Sequence, residues 1–266
     1  MILTTGGAGY VGSQFLRTYL ARNPGKDLVV VDDLSEGHEQ SLPGERVHFV
    51  RQCIGDVEAM KQVFAKFGVE AVVHFAASAY VGESQTHPFK YYQNNVINSI
   101  NLFKAMEESN IRKLVFSSTC ATYGDPKYLP LDEEHPQNPV NVYGTTKLIV
   151  EKILKNLHET LGWSYAALRY FNASGADESG LIGEKHDPET HLIPLILQVA
   201  AGRRDHVKIF GDDYDTRDGT CIRDYVHVID LAEAHLAALE LVSREKVGMA
   251  ANLGTAHGAS ILEVLS

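Results

Sequence analysis

The run Ile2-Leu3-Thr4-Thr5 passes without a linker into Gly6-Gly7-Ala8-Gly9-Tyr10-Val11-Gly12, and an amphipathic stretch follows at once. That order constrains the fold more than any other feature of the chain. Glycines between a strand and a helix let the backbone turn tightly and approach a pyrophosphate, while the free N–H groups and dipole of the helix stabilise negative charge. A second apolar run ends in Val31-Asp32-Asp33, and Asp32 lies twenty residues after Gly12. A carboxylate there can accept from ribose hydroxyls and repels a 2′-phosphate, which favours NAD over NADP.

The remaining pattern extends this unit. Strands are expected near Ile2–Thr5, Leu28–Val31, His48–Val50, Ala71–His74, Lys113–Phe116 and Tyr165–Arg169, with helices beginning near Tyr10, Val57, Phe89 and Tyr143. Six strands alternating with helices predict an α/β fold, a doubly wound parallel sheet of Rossmann type. After Phe171 a Gly/Asp/Pro-rich stretch to Pro188 predicts a smaller lobe, with a short helix at Leu192–Ala200. Helical pattern returns over Val228–Val242, a strand ends at Asn252-Leu253-Gly254, and a last helix starts within Ser260–Ser266. The expected division is 1–171 plus 227–250 for the dinucleotide-binding domain and 172–226 plus 251–266 for a substrate lobe.

Composition narrows the function classes. A net charge of −10 argues against a nucleic-acid surface, and no stretch approaches the roughly 18 to 20 apolar residues of a membrane span. The N-terminus carries no basic region or cleavage site, so a cytoplasmic protein is expected. Cys53, Cys120 and Cys221 form no Cys-x-x-Cys pair, and the twelve histidines form no His-x-x-x-His pair, so neither a disulfide framework nor a metal site is expected.

The chemistry concentrates in Tyr143-Gly144-Thr145-Thr146-Lys147. On a helix this spacing puts a phenol and an ammonium on one face, about 6 Å apart at Cβ. A nearby cation favours the phenolate, so Tyr143 is expected to act as a base nearer neutral pH. Ser117-Ser118-Thr119 closes the fifth strand at the end where open α/β sheets bind ligands, and Thr119 can reach the hydroxyl on which Tyr143 acts or serve as a turn cap. Asp56, ahead of Val57, either meets an adenine or caps a helix.

Glycine loop, strand-terminal Asp, hydroxyl residue and Tyr-x-x-x-Lys together resemble the extended short-chain dehydrogenase/reductase superfamily. Within it the chain is most similar to the UDP-glucose 4-epimerase family, through His74-Phe75-Ala76-Ala77, Val81-Gly82-Glu83-Ser84, Tyr91-Tyr92-Gln93-Asn94-Asn95-Val96, Leu168-Arg169-Tyr170-Phe171-Asn172 and the blocks Gly211–Tyr214 and Asp218–Tyr225. The resemblance implies NAD-dependent epimerisation at C4 of a UDP-hexose, as in galactose metabolism. It makes Tyr143 the base, Lys147 its cationic partner on the nicotinamide ribose, and Thr119 the hydroxyl near sugar O4. It implies a cofactor shell of Gly6, Gly9, Tyr10, Val11, Gly12, Asp32, Asp33, Asp56, Val57, Phe75, Ala76, Ala77, Asn95 and Tyr170. For the UDP-sugar it implies Asn172 and Arg223 at the diphosphate, with Leu192 and a strand Lys208–Phe210 beside the uridine. Arg223 could instead pair with Asp224 at the surface.

Two positions depart from the family: Ala79 stands where some epimerases carry lysine, and Thr119 where many carry serine. Nucleotide-sugar dehydratases carry acids just after the hydroxyl residue, whereas here Cys120 and Ala121 follow. The resemblance also implies a homodimer through the helices near Phe89–Glu108 and Tyr143–Leu161, with Ile97, Ile100, Leu102, Phe103, Leu148, Ile149 and Val150 supplying apolar faces. Family members continue beyond the position matching Ser266, so Ile261, Leu262, Val264 and Leu265 are expected to form an amphipathic helix seeking a partner surface.

Overall fold

The computed structural model describes all residues from Met1 to Ser266. Seven parallel strands form its main sheet: β1 (Ile2–Thr5), β2 (Leu28–Asp32), β3 (Val47–Arg51), β4 (Ala71–His74), β5 (Lys113–Thr119), β6 (Ser164–Tyr170) and β9 (Gly248–Leu253), in the order β3-β2-β1-β4-β5-β6-β9. The order reverses between β1 and β4, which opens a crevice at the strand ends where doubly wound sheets bind ligands. A second sheet, β10-β8-β7, joins β7 (Asn172–Ser174), β8 (Ile222–His227) and β10 (Gly258–Ser260).

Helices cover both faces of the main sheet, and alternation along the strands divides the core accordingly. On one face Leu3, Val29, Val31 and Val72 pack with α2 (Val57–Phe67), α5 (Asn98–Glu108) and α6 (Val142–Leu161). On the other, Leu28, Val30, Ala71 and Val73 pack with α1 (Tyr10–Arg22) and α8 (Val228–Arg244). Because both faces are covered, the strands read as unbroken apolar runs.

Helix ends follow local chemistry. Asp56 caps α2 by accepting from Ala59 N–H at 3.0 Å, and Gly68 ends that helix at φ +60°. Asn141 accepts from Gly144 N–H at 2.7 Å and so fixes where the Tyr143 helix begins. Such caps are worth about 1 kcal/mol each. The remaining helices are α3 (Val81–Thr86), α4 (Pro88–Tyr91), α7 (Leu192–Ala200) and α9 (Ile261–Leu265), the last opened by a capping box between Ser260 and Glu263.

The structure corrects four expectations. The main sheet has a seventh strand, β9, and it runs to Leu253, so the sheet keeps Ala251, Asn252 and Leu253 that had been placed in the lobe. Lys208–Phe210 is not a strand, because no neighbouring backbone pairs with it. The helix expected near Phe89 is interrupted by a π-turn over Tyr92–Ile97. That widened turn sets Asn95 against Ser78 and Thr146, a tertiary requirement that periodicity does not carry. Finally, Leu102, Phe103, Leu148 and Val150 are buried in this chain, so they offer nothing to a partner, whereas Ile97 and Ile100 remain exposed.

Candidate active site

The glycine loop shows why each glycine is needed. Gly6 adopts φ +68°, and a Cβ there would lie 2.5 Å from Ala76 N; a Cβ on Gly12 would lie 2.2 Å from Gly6 O. At Gly9 a Cβ would meet only Gly6 O, at 3.4 Å, and would otherwise protrude into open space. That space belongs to a cleft of about 820 Å³. No side chain caps the start of α1 and no acid lies in its first turn, so its N–H groups are free to meet an anion. A dinucleotide pyrophosphate fits this cradle.

Asp32 sits on the cleft wall at the end of β2. Its Oδ2 accepts from Ala8 N–H at 3.0 Å and its Oδ1 from Leu34 N–H at 2.9 Å, so the carboxylate also holds the glycine loop in shape. Burial raises its pKa, and the two backbone donors oppose that shift. Tyr10, Val11, Asp33, Phe75, Ala76, Ala77 and Tyr170 line the same cleft, with the Tyr170 hydroxyl 2.9 Å from Ser117 Oγ.

Thr119 and Tyr143 face each other across the inner end of the cleft, both buried. Thr119 caps the turn that follows it, its Oγ1 accepting from Ala121 N–H at 3.2 Å. Lys147 lies behind Tyr143, 5.9 Å from its ring centroid, and donates to Ser117 O at 2.8 Å. Within the chain itself burial acts against the expected lowering. Burial is the largest influence on Tyr143 and raises its pKa well above that of a free phenol; the Thr119 hydroxyl pulls the other way but more weakly. Burial likewise pushes Lys147 down to about 7, with Glu151 opposing. Desolvation outweighs the pairing because both groups lose water while their charged ends stay apart.

Asn95, Asp56 and Val57 fall outside the cleft lining. The Asn95 amide is committed to protein partners: Oδ1 accepts from Ser78 N–H at 2.8 Å, and Nδ2 donates to Ser78 O at 3.0 Å and Thr146 Oγ1 at 3.1 Å. On the other side, Asn172 lines the cleft and donates to Asp224 O at 2.9 Å. Leu192, Lys208 and Phe210 surround a separate cavity of about 220 Å³. Arg223 is exposed and makes no ion pair; Asp224 instead accepts from Thr255 and Ala256.

The NAD-dependent epimerase/dehydratase family model matches residues 2–254. UDP-glucose 4-epimerase of Halalkalibacterium halodurans is 48% identical over 264 residues, covering 99% of this chain and 78% of that protein. The chain belongs to the NAD-dependent epimerase/dehydratase family, on its UDP-glucose 4-epimerase branch. Among solved structures, UDP-glucose 4-epimerase of Brucella ovis in complex with NAD superposes with a TM-score of 0.95 at 49% identity, over 99% of this chain and 80% of that one. The epimerase of Stenotrophomonas maltophila, with bound NAD and formylated UDP-arabinopyranose, gives 0.94 at 40% identity, over 98% and 80%.

This epimerase-family site includes residues that sequence reasoning missed. Ser78, Tyr80, Glu83 and Asn94 line the cleft, and Tyr91 supports it by donating to Tyr80 O at 2.7 Å. A buried chain runs behind the wall. Thr5 Oγ1 lies 2.7 Å from His74 Nδ1, His74 Nε2 lies 2.9 Å from Ser99 Oγ, and Ser99 donates to Asn95 O at 2.7 Å. Because the Ser99 proton is used on Asn95, His74 must donate from Nε2 and accept at Nδ1 from Thr5. The quoted segments around His74 and Asn95 held the signal, but no spacing rule joins residues on β1, β4 and the π-turn.

Proposed function

We infer that the protein interconverts UDP-galactose and UDP-glucose at C4 with NAD as its cofactor. The observation that carries this reading is the pairing of Tyr143 with Thr119 at the inner end of a cleft whose other wall is the glycine cradle. NAD bound there supplies a hydride acceptor that later returns the hydride, so the cycle has no net redox change.

The residues of the chain supply the rest. Lys147, together with the positive charge of bound NAD, would oppose the burial of Tyr143 and favour its phenolate, which takes the proton of the sugar 4-hydroxyl and later returns it. Thr119 orients that hydroxyl, and Lys147 is held in place behind Tyr143 by its bond to Ser117 O. Arg223 meets the diphosphate with a guanidinium that has no internal carboxylate partner, and Asn172 lies beside it. Leu192, Lys208 and Phe210 flank the uridine, leaving the sugar ring free to turn and present its opposite face. On the cofactor side, Asp32 and Asp33 read the adenosine ribose and Lys147 the nicotinamide ribose, while the Asp56 carboxylate keeps its capping role on α2. We place the lobe of 172–226 with the small sheet on the sugar-nucleotide side.

A dehydratase needs an acid beside Thr119. Cys120 stands there instead, its thiol pushed up to about 11 by burial, followed by the methyl group of Ala121. Incubation with UDP-galactose discriminates: an epimerase yields UDP-glucose, a dehydratase consumes the sugar, and a non-catalytic sensor does neither. Absence of UDP-glucose from NAD-loaded protein would sink the reading.

We further propose a homodimer working in the cytoplasm. Phe89 on α4 is 86% exposed, and Ile97 in the π-turn, Ile100 on α5 and Leu161 at the end of α6 are also exposed. Three free cysteines suit a reducing compartment. Sedimentation should report twice the chain mass; a concentration-independent monomer would refute the dimer.

A further inference from the structure

Glu184, His186 and His191 line the cleft, Glu189 lies against them, and none of the four takes part in the steps above. One potential ligand atom from each lies within 4.8 Å of the others. His191 Nδ1 is 2.9 Å from Glu184 Oε1 and 3.2 Å from Glu189 Oε1, while His186 Nδ1 is 3.5 Å from Glu184 Oε1 and 3.7 Å from Glu189 Oε2. Four ligands held about 2.0 to 2.2 Å from a tetrahedral zinc ion stand roughly 3.3 to 3.6 Å from one another. The four histidine–glutamate separations bracket that spacing, with Glu189 facing His186 through Oε2 and His191 through Oε1, and the set as a whole lies within 4.8 Å, so the side chains must draw together to meet on one metal.

Charge supports the same conclusion. The Glu184 and Glu189 side chains are only 10% and 7% exposed, and neither pairs with a lysine or arginine. Buried carboxylates are ordinarily paired or metal-bound, and here only His186 and His191 face the two, so a divalent cation would supply the compensating charge that otherwise requires protonated imidazole. His186 Nδ1, turned into the cluster, is buried with no hydrogen-bond partner. The supporting shell is also in place. Glu189 Oε1 accepts from Thr190 N–H and His191 N–H, both at 2.9 Å, which fixes the carboxylate and leaves Oε2 toward His186. The Tyr80 ring packs 5.5 Å from the His186 ring and 6.1 Å from the His191 ring.

We propose that Glu184, His186, Glu189 and His191 form a zinc site that fastens the loop preceding α7 across the cleft wall. Two imidazole nitrogens with two carboxylate oxygens match zinc better than magnesium or calcium, which prefer all-oxygen sets. The site escapes the usual His-x-x-x-His test because its histidines are five residues apart on a loop rather than four apart on a helix.

Untagged full-length protein, stripped with a chelator and dialysed, should bind one zinc ion per chain by calorimetry. Cobalt(II) in its place should give the intense visible absorption of a tetrahedral site. His186→Gln and Glu184→Gln should each weaken zinc binding by more than about a hundredfold, beyond the ~10–100-fold that loss of an outer-shell partner costs. His206→Gln, at an exposed histidine outside the cluster, should leave it unchanged. Failure of the parent protein to take up stoichiometric zinc at micromolar metal overturns the proposal whatever the variants do. So does equal affinity in the parent and His186→Gln, or loss of binding in His206→Gln, either of which would mark the metal as adventitious. The titration requires no turnover, so its failure is distinct from a failure of epimerisation.

Discussion

Lys147 Nζ donates to the backbone carbonyl of Ser117 at 2.8 Å, and this bond ties the catalytic helix to the end of β5, where Thr119 stands two residues further on. The lysine therefore fixes the position of Tyr143 relative to Thr119 as well as contributing charge. Tyr143→Phe keeps the ring and its packing but removes the hydroxyl proposed to take the proton. Its rate of UDP-galactose conversion should fall by at least about a hundredfold, with NAD content unchanged in the purified protein. A steady-state rate within threefold of the parent would remove Tyr143 from the mechanism.

Asp32 accepts one backbone N–H on each carboxylate oxygen, so Asp32→Asn cannot satisfy both, having a single carbonyl oxygen. The variant should lose about 1 to 3 kcal/mol of stability and much of its discrimination against NADP. Denaturant titration and calorimetry with both dinucleotides test the two halves separately. Equal affinity of the parent for NAD and NADP would contradict the role given to this carboxylate.

His74 is buried as a neutral ring, its pKa lowered from 6.5 to about 3 by burial, with Lys147 adding to the shift. Between these values the unfolded chain takes up a proton that the native state refuses, so stability falls as pH drops through that window. The contribution is up to about 1.4 kcal/mol per pH unit. His235, lowered to about 4 by burial, acts in the same direction. His74→Gln should be less stable at neutral pH yet lose less on acidification from pH 6.5 to 4. A parallel acid limb in urea melts of parent and variant would rule this out.

Glu151 and Arg169 form an ion pair at 2.7 Å with side chains 6% and 7% exposed, joined by Ser118 and by Tyr123, which accepts from Arg169 at 2.8 Å. Arg169→Met leaves the carboxylate buried without its cation, at a cost of about 3 to 5 kcal/mol. Replacing Glu151 by Leu in the same chain should recover much of that loss. Thermal melts of the single and double variants decide it; equal instability of the two would mean that packing, not charge, dominates there.

Much of the fold was legible because its rules are local. A parallel sheet buried on both faces writes itself as short Val-rich runs, and Asp56, Asn141 and Gly68 mark helix ends through bonds spanning three or four residues. The glycine loop was legible as a motif of seven residues, although its steric limits also come from Val30 on β2 and from Phe75 and Ala76 after β4. Tyr143 and Lys147 share a helix, so their spacing alone put them on one face.

The tertiary structure decided whatever depends on burial or on distant partners. Burial of Tyr143 and Lys147 acts against the shift their spacing suggests, because desolvation depends on everything packed around a group and not on its neighbour in sequence. The π-turn at Asn95 arises from contacts with Ser78 and Thr146, 17 and 51 residues away. In sequence Arg223 fits either a diphosphate or an ion pair with Asp224; in the structure Asp224 is taken by the Thr255 loop, and the guanidinium donates to Ile222 O at 2.8 Å without a carboxylate partner. Likewise Glu184, His186, Glu189 and His191 show no periodic spacing, and only the path of an irregular loop turns their ligand atoms inward to a common point. Sequence determines which groups a chain can offer; which of them lose water, and which meet, is fixed by packing across the whole molecule.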